Sequence, residues 1–298
     1  MSGCAGGGPT PSPSASEPTV AASASAPAPS PEAPTPTPRR TGPFEWVLTW
    51  SDEFDGPAGS PPDPASWEFA LGDGSTNGIA GWGNAERQTY TNLTTNAATD
   101  GNGNLLITAR KLDGAESCYY GPCEYSSARL LTRGMHEIQF GKIEARIKVP
   151  SGAGYWPAFW MLGTNVGQVG WPKSGEIDIM EYVGRLPTMV FGTIHGPGYY
   201  GTSGDSQTLD LGLPVADDFH TFSIEWQPDQ IAWFVDGIQY HEASPEDVVP
   251  NVWAFNHPFY LLLNVAVGGN FGGPIAAETV FPQSMAVDYV RIYEEAPQ

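Results

Sequence analysis

Residues 142 to 149 read K-I-E-A-R-I-K-V, and their alternation has no fault. Ile143, Ala145, Ile147 and Val149 fall on one side, and Lys142, Glu144, Arg146 and Lys148 on the other. A period of two describes a strand with one face buried and one in water, the pattern of an antiparallel sheet. The same period returns in T-F-S-I-E-W from Thr221, in N-L-L-I-T-A-R and in V-D-Y-V-R-I-Y. In I-A-W-F-V-D-G-I-Q-Y, Asp236-Gly237 marks a tight hairpin turn. No window of a dozen residues carries a helical period with caps, and glycine and proline punctuate throughout. The chain is therefore expected to be all-β, two antiparallel sheets stacked as a β-sandwich.

This pattern starts only after the first forty or so residues. From Gly6 to Pro38 the chain is almost entirely Pro, Ser, Ala, Thr and Gly, with Val20 the one large apolar residue. Such a segment cannot bury enough surface to offset its ordering entropy. Residues 1–43 read as an extended tether and residues 44–298, from Phe44, as one domain of ordinary all-β length. The net charge is −20. Glu17, Glu32, Arg39 and Arg40 cancel within the tether, so the excess sits on the domain. An acidic surface repels nucleic acid and anionic membranes and suits a neutral or cationic ligand. The longest apolar run, Phe259 to Val267, is interrupted by Asn264 and falls far short of the ~20 residues of a membrane helix.

Three cysteines are present. Cys118 and Cys123 flank Y-Y-G-P, and are read as a small disulfide in preference to free thiols, which points to an oxidising compartment. Cys4, in M-S-G-C-A-G-G-G, resembles the lipidated cysteine of bacterial lipoproteins. No apolar signal stretch precedes it in this sequence, so the competing reading is a chance cysteine in a small-residue tail. The lipidation reading puts the domain outside the cell or on its surface, touching a membrane through the anchor alone.

The stretch G-E-I-D-I-M-E-Y-V-G, residues 175–184, poses a problem of parity. In a regular strand Glu176 and Asp178 share a face, while Glu181, an odd number of steps on, points away. A β-bulge at Ile179–Met180 restores the phase and sets all three acids on one face. A row of acids on a strand has three readings. One is a solvated charged face. Another is a calcium site, which needs oxygen ligands converging from a loop. The third is a carboxylate pair for glycoside hydrolysis, with one nucleophile and one acid/base. Bulges cluster at functional sites, which favours the third. The tryptophans agree. Trp226 and Trp233 sit within clean alternation and read as core. In Y-W-P-A-F-W-M-L, by contrast, Trp156, Ala158 and Trp160 share one side of a strand, Trp82 lies in G-W-G-N-A-E-R-Q, and Trp171 precedes the acidic strand. Indole faces stack on the C–H faces of sugars.

G-E-I-D-I-M-E closely resembles the E-x-D-x-x-E signature of glycoside hydrolase family 16 in its laminarinase-like, bulged form. G-W-G-N-A-E-R-Q-T-Y-T, Y-W-P-A-F-W-M-L-G, G-T-I-H-G-P-G-Y and D-Y-V-R-I-Y resemble further family segments in family order, over about residues 44 to 295. The resemblance implies a concanavalin A-like jelly roll with a cleft on its concave face. It implies Glu176 as nucleophile, Asp178 as assisting acid and Glu181 as general acid/base. It places Asn84, Glu86, Arg129, Trp156 and Trp160 along the sugar subsites and His195 as a cleft histidine beside the catalytic strand, with Asn270 either joining the subsites or serving as a turn asparagine; Trp82 and Trp171 are added to the subsites from the tryptophan pattern. It implies no cofactor for catalysis, and one structural calcium ion held by Asp288 with carbonyls around Glu53 and Gly103. The expected activity is endo-acting, retaining hydrolysis of β-1,3-glucans by a monomer. The alternatives are another β-glycan, such as mixed-linkage glucan or galactan, and a glucan-binding protein without catalysis. Relatives that only bind have lost the glutamates, which this chain keeps.

Overall fold

A computed structural model describes residues 45–296. Cys4, Phe44 and the tether lie outside the described residues. Two antiparallel sheets stack face to face, as the alternation requires. One sheet has ten strands. Its path runs Ile238–Ala243, Gln230–Val235, His220–Gln227, Gly141–Lys148, Gln283–Glu295, Leu105–Lys111, Tyr125–Ser127 and Gln88–Tyr90, with Trp46–Asp52 and Ala97–Thr99 pairing alongside. The other has eight. Its path runs Asp205–Asp210, Met189–His195, Glu176–Glu181, Tyr155–Gly163, Phe259–Val267, Arg129–Leu131 and Glu68–Ala70, with Glu137–Ile138 at its margin. A single parallel pairing, Gln88–Tyr90 with Tyr125–Ser127, stands apart from the antiparallel ladders. The α-helices among the described residues are two four-residue turns, Val166–Val169 and Gly269–Gly272. None is long and apolar enough to cross a membrane.

The strand Gly141–Lys148 buries Ile143, Ala145 and Ile147 and leaves Lys142, Arg146 and Lys148 partly in water, as its sequence suggests. Glu144, expected on the water face, is instead buried, paired with Lys142 and accepting from the Tyr289 hydroxyl at 3.0 Å. Asp236 and Gly237, at φ 51° and 77°, close the hairpin between Val235 and Ile238. Two positive φ values give a turn whose twist matches the flanking strands. Cys118 and Cys123 are joined as a disulfide, with Cα atoms 5.0 Å apart, across the small hairpin of Ser117–Cys118 and Gly121–Pro122.

The apolar core lies between the sheets. Phe222, Ile224, Trp226 and Trp233 from the ten-stranded sheet meet Phe159, Met161, Ile177, Ile179, Met180 and Leu263 from the eight-stranded one. Strand Phe259–Val267, central to the second sheet, is buried at all nine positions. Phe259, Leu261, Leu263, Val265 and Val267 enter the inter-sheet core. Tyr260 and Leu262 point the other way and pack with Leu131 under Trp160 and Leu162. The outer face of this sheet is therefore covered too, and part of that cover is the cleft floor.

Candidate active site

The cleft is built around the bulge. On one side Glu176 pairs with His195, Asp178 with Thr193 and Glu181 with Phe191. On the other Trp160 pairs with Asp178 and Ala158 with Glu181. Between Asp178 and Glu181 the strand thus advances three residues while both neighbours advance two. Ile177, Ile179 and Met180 all turn into the core, and the three acids share the outer face. Asp178 is buried, whereas Glu176 and Glu181 keep partial access to the cleft.

Low polarity and crowding set the electrostatics. Burial first, then the charges of Asp178 and Glu181, push the Glu176 carboxyl up to about 8, against the pull of His195 and Arg129. Burial pushes Asp178 up to about 8. Glu181 is likewise pushed up to about 8 by burial and by Asp178, opposed by His195 and by the Trp156 indole, whose Nε1–H donates to Oε1 at 2.9 Å. The three carboxyls therefore titrate as one set and retain a proton near neutrality. Such a site offers both things that acid-assisted displacement needs, an ionised carboxylate and a protonated one. His195 Nε2 lies 3.3 Å from Asp178 Oδ2 and 3.9 Å from Glu176 Oε1. Glu176, Asp178 and His195 together bring three donor atoms within 4.8 Å of one another, close enough to grip a cation as well. A side chain at Gly204 would strike the His195 ring, so glycine lets that segment close over the histidine.

The aromatic residues flank these acids. Trp156 stands edge-on to Phe271, 5.6 Å between centroids. At the far side the Arg129 guanidinium lies between two indoles, 4.6 Å from Trp82 and 4.8 Å from Trp160. Trp171, 46% exposed, sits at the His195 end beside Tyr200. Asn270 is exposed on the short turn Gly269–Gly272, and its main-chain N–H donates to the Asn84 carbonyl at 2.7 Å.

Glu86 differs from expectation. It is 5% exposed and belongs to the floor rather than to the surface that sugar would touch. Asn84 Nδ2 donates to its Oε1 at 3.3 Å, and Gln88 Nε2 and Tyr90 Oη–H donate to its Oε2 at 2.5 and 3.2 Å. Burial raises its carboxyl pKa, with the Arg129 charge opposing. Tyr90 Oη in turn accepts from Asn264 Nδ2 at 3.2 Å, and Asn264 Oδ1 accepts from Trp160 Nε1 at 2.8 Å. A buried polar chain thus runs from Trp160 through Asn264 and Tyr90 to Glu86 and Asn84. It ties the 84–90 segment to the strands Tyr155–Gly163 and Phe259–Val267. Tyr90, Gln88 and Asn264 were not among the expected site residues. The trace of Asn264 was its position as the one polar residue in an apolar strand.

The expected calcium donors are partly occupied. Asp288 Oδ2 accepts from Arg146 Nη1 at 2.7 Å, and the Glu53 carboxylate is clamped by Arg291 at 2.9 and 2.8 Å. The Glu53 carbonyl and Asp55 Oδ1 face Gly103, 3.9 and 3.7 Å from where a side chain there would begin. The Glu53 carbonyl and Asp55 Oδ1 are oxygen donors of the kind a hard cation takes. The Asp288 carboxylate would have to share itself with Arg146.

Comparison with known proteins agrees with this geometry. Residues 85–291 match the family described as "Glycosyl hydrolases family 16". The chain is 42% identical over 257 residues to the "Beta-glucanase" of Rhodothermus marinus, covering 83% of this chain and 85% of that protein. Among solved structures, the laminarinase catalytic domain of Thermotoga maritima superposes with a TM-score of 0.80 at 47% identity, covering 85% of this chain and all of that one. The endo-β-1,3-glucanase of Pyrococcus furiosus does so with a TM-score of 0.80 at 46% identity, covering 86% and 97%. Enzymes of this family need no catalytic cofactor. With the matched segment spanning both sheets and the whole acidic strand, the chain belongs to glycoside hydrolase family 16.

Proposed function

We propose that this protein hydrolyses β-1,3-glucosidic linkages within laminarin-type glucans, cutting internally and retaining anomeric configuration. The observation that carries the reading is the bulge, which sets Glu176 and Glu181 on one face of one strand with Asp178 between them. A retaining mechanism needs the two carboxyls roughly 5–5.5 Å apart, with no room for a water between sugar and base, and the shared face is what lets Glu176 and Glu181 converge to that. Glu176, the acid with His195 and Arg129 favouring its ionised form, attacks the anomeric carbon. Glu181 gives its proton to the departing glycosidic oxygen as that C–O bond breaks. A glycosyl ester on Glu176 results, and Glu181 is left as a carboxylate. Water then enters, Glu181 takes its proton, and the hydroxide equivalent displaces Glu176 from the same carbon. Asp178 and His195 steady the charge that Glu176 gains and loses.

The substrate reading rests on the names of the relatives and on the cleft. Trp156 and Trp160 offer faces for successive sugar rings, and Asn84 and Arg129 offer donors to their hydroxyls. The net charge of −20 disfavours sulfated or otherwise anionic glycans. Product analysis on laminarin, curdlan, mixed-linkage glucan and cellulose tests the assignment. Rapid loss of mean chain length on the β-1,3-glucans with cellulose untouched is expected. Release of glucose alone from chain ends, or inertness toward every β-1,3-glucan, would refute it.

Two further readings accompany this one. A calcium ion at the Glu53–Gly103–Asp288 edge would stabilise the sandwich away from the chemistry. A lipid on Cys4 would hold the domain at the outer face of a membrane, with residues 5–43 as spacer. Expressed behind a signal peptide, the protein would then partition with membranes and Cys4→Ser would release it, whereas a wholly soluble wild type would end the anchor reading.

A further inference from the structure

The bulge itself has to be held. A local two-against-one mismatch in a ladder leaves its extra residue without a register partner, and the bend it makes is set by what packs beneath it. Beneath this one lies Trp233, from strand Gln230–Val235 of the opposite sheet. Its indole is fully buried, and its Nε1–H crosses the core to donate to the Asp178 main-chain carbonyl at 2.8 Å. Asp178 is the last residue in register with both neighbouring strands before the one-residue excess at Ile179–Met180. The bond therefore reaches the hinge at which the strand changes phase.

Three features around the indole fit that role. Gly192 lies on the neighbouring strand between Thr193, partner of Asp178, and Phe191, partner of Glu181, so it stands directly opposite the bulge. Its φ is not in the left-handed region, so no backbone reason calls for glycine. Space does: a Cβ there would land on the Tyr240 hydroxyl and 2.7 Å from Trp233 Cδ1. The ring is also held by His241, which stacks on it at 4.5 Å and 27°. Glu176 does not share this dependence, because Glu176 and Ile177 are registered by His195 and Ile194 upstream of the hinge.

We propose that Trp233 is a positioning residue for the glycosidase reaction, latching the bulge from across the core so that Glu181 keeps the phase of Glu176. This inference rests on the roles given above to Glu176 and Glu181. It separates Trp233 from an ordinary core tryptophan. Trp226 supplies the comparison, being equally buried with Nε1–H donating to the Phe255 carbonyl at 3.0 Å rather than to the acidic strand.

The test is Trp233→Phe, which keeps a ring in the core and removes the donor, beside Trp226→Phe. Each is assayed on laminarin and on an aryl β-laminaribioside, whose leaving group departs without a proton, with melting temperature measured in parallel. Misplacing the acid by a fraction of an ångström to an ångström is expected to lower the laminarin kcat about 10- to 100-fold. KM should stay near wild type, and the aryl glycoside should suffer much less. Trp226→Phe should lose stability to a similar extent and keep both activities per folded molecule. Gly192→Ala, which pushes on the same indole, should reproduce the selective loss if Trp233→Phe does not fold. An unchanged laminarin kcat in Trp233→Phe or Gly192→Ala would overturn the latch. So would equal losses on the two substrates, or the same selectivity in Trp226→Phe. Wild-type activity in the same plates reports on the hydrolase reading by itself.

Discussion

Glu176 is buried beside two other acids, and replacing it with glutamine should stabilise the fold while abolishing turnover. Its carboxyl is raised from 4.5 to about 8, chiefly by burial. The sign follows from linkage. Below pH 4.5 the group is protonated in both folded and unfolded chains and contributes nothing. As pH rises through the window up to 8, the carboxyl ionises freely in the unfolded chain, whereas in the native site burial and the neighbouring acids oppose its ionisation, so the native state loses ground. For one isolated group with this shift, the loss at pH 7 is about 3 kcal/mol. Part of the shift is repulsion shared with Asp178 and Glu181, and the new amide must find partners, so a net gain of about 2 kcal/mol is the working figure. In a domain of this size that raises the melting temperature by about 4–8 °C. Scanning calorimetry of wild type and Glu176→Gln at pH 7 and pH 4 provides the assay. The gain should be present at pH 7 and nearly absent at pH 4. A gain of equal size at both values, or a less stable variant at pH 7, would refute the claim that the folded site strains an ionised carboxylate.

Glu181→Gln should lower laminarin turnover about 10²–10⁴-fold, the usual worth of a positioned acid, with aryl glycosides retaining far more activity. Equal losses on both would remove Glu181 from the acid role. Asn264→Val leaves Trp160 Nε1 and the Tyr90 hydroxyl short of partners, and should cost about 1–3 kcal/mol of stability with a raised KM on long glucans. An unchanged KM would show that the buried chain from Trp160 to Glu86 does not shape the subsites. If calcium binds at Glu53, Gly103 and Asp288, chelator should lower the melting temperature and leave kcat unaltered wherever the domain stays folded. A melting curve indifferent to chelator and to added calcium would dispose of the ion.

Much of this site could be read from the chain because its determinants are local. Three acids at positions 176, 178 and 181 demand a bulge by parity alone, and the register provides one there. The alternation of 142–149 and the Asp236-Gly237 turn behave likewise, since period and turn chemistry act over a few residues. What escaped depends on contacts remote in sequence. Glu86 looks like a surface acid in G-N-A-E-R-Q, and only the strands above it show that it is enclosed. Nothing near Asp288 announces that Arg146, 142 residues away, takes its carboxylate. Trp233 alternates as a core residue should, and it is one. That its indole nitrogen also meets the Asp178 carbonyl depends on how the two sheets face each other.

The central claim is that a bulged strand brings two glutamates close enough to act by double displacement on a β-glucan. Proton NMR of a fresh laminarin digest reads it most directly, following the anomeric signals of new reducing ends before mutarotation mixes them. The β-anomer should appear first, on short β-1,3-linked oligosaccharides, with the α-anomer rising only later at the mutarotation rate. Early α-anomer would mean that water, not Glu176, attacks the sugar, and would contradict the geometry assigned to Glu176 and Glu181.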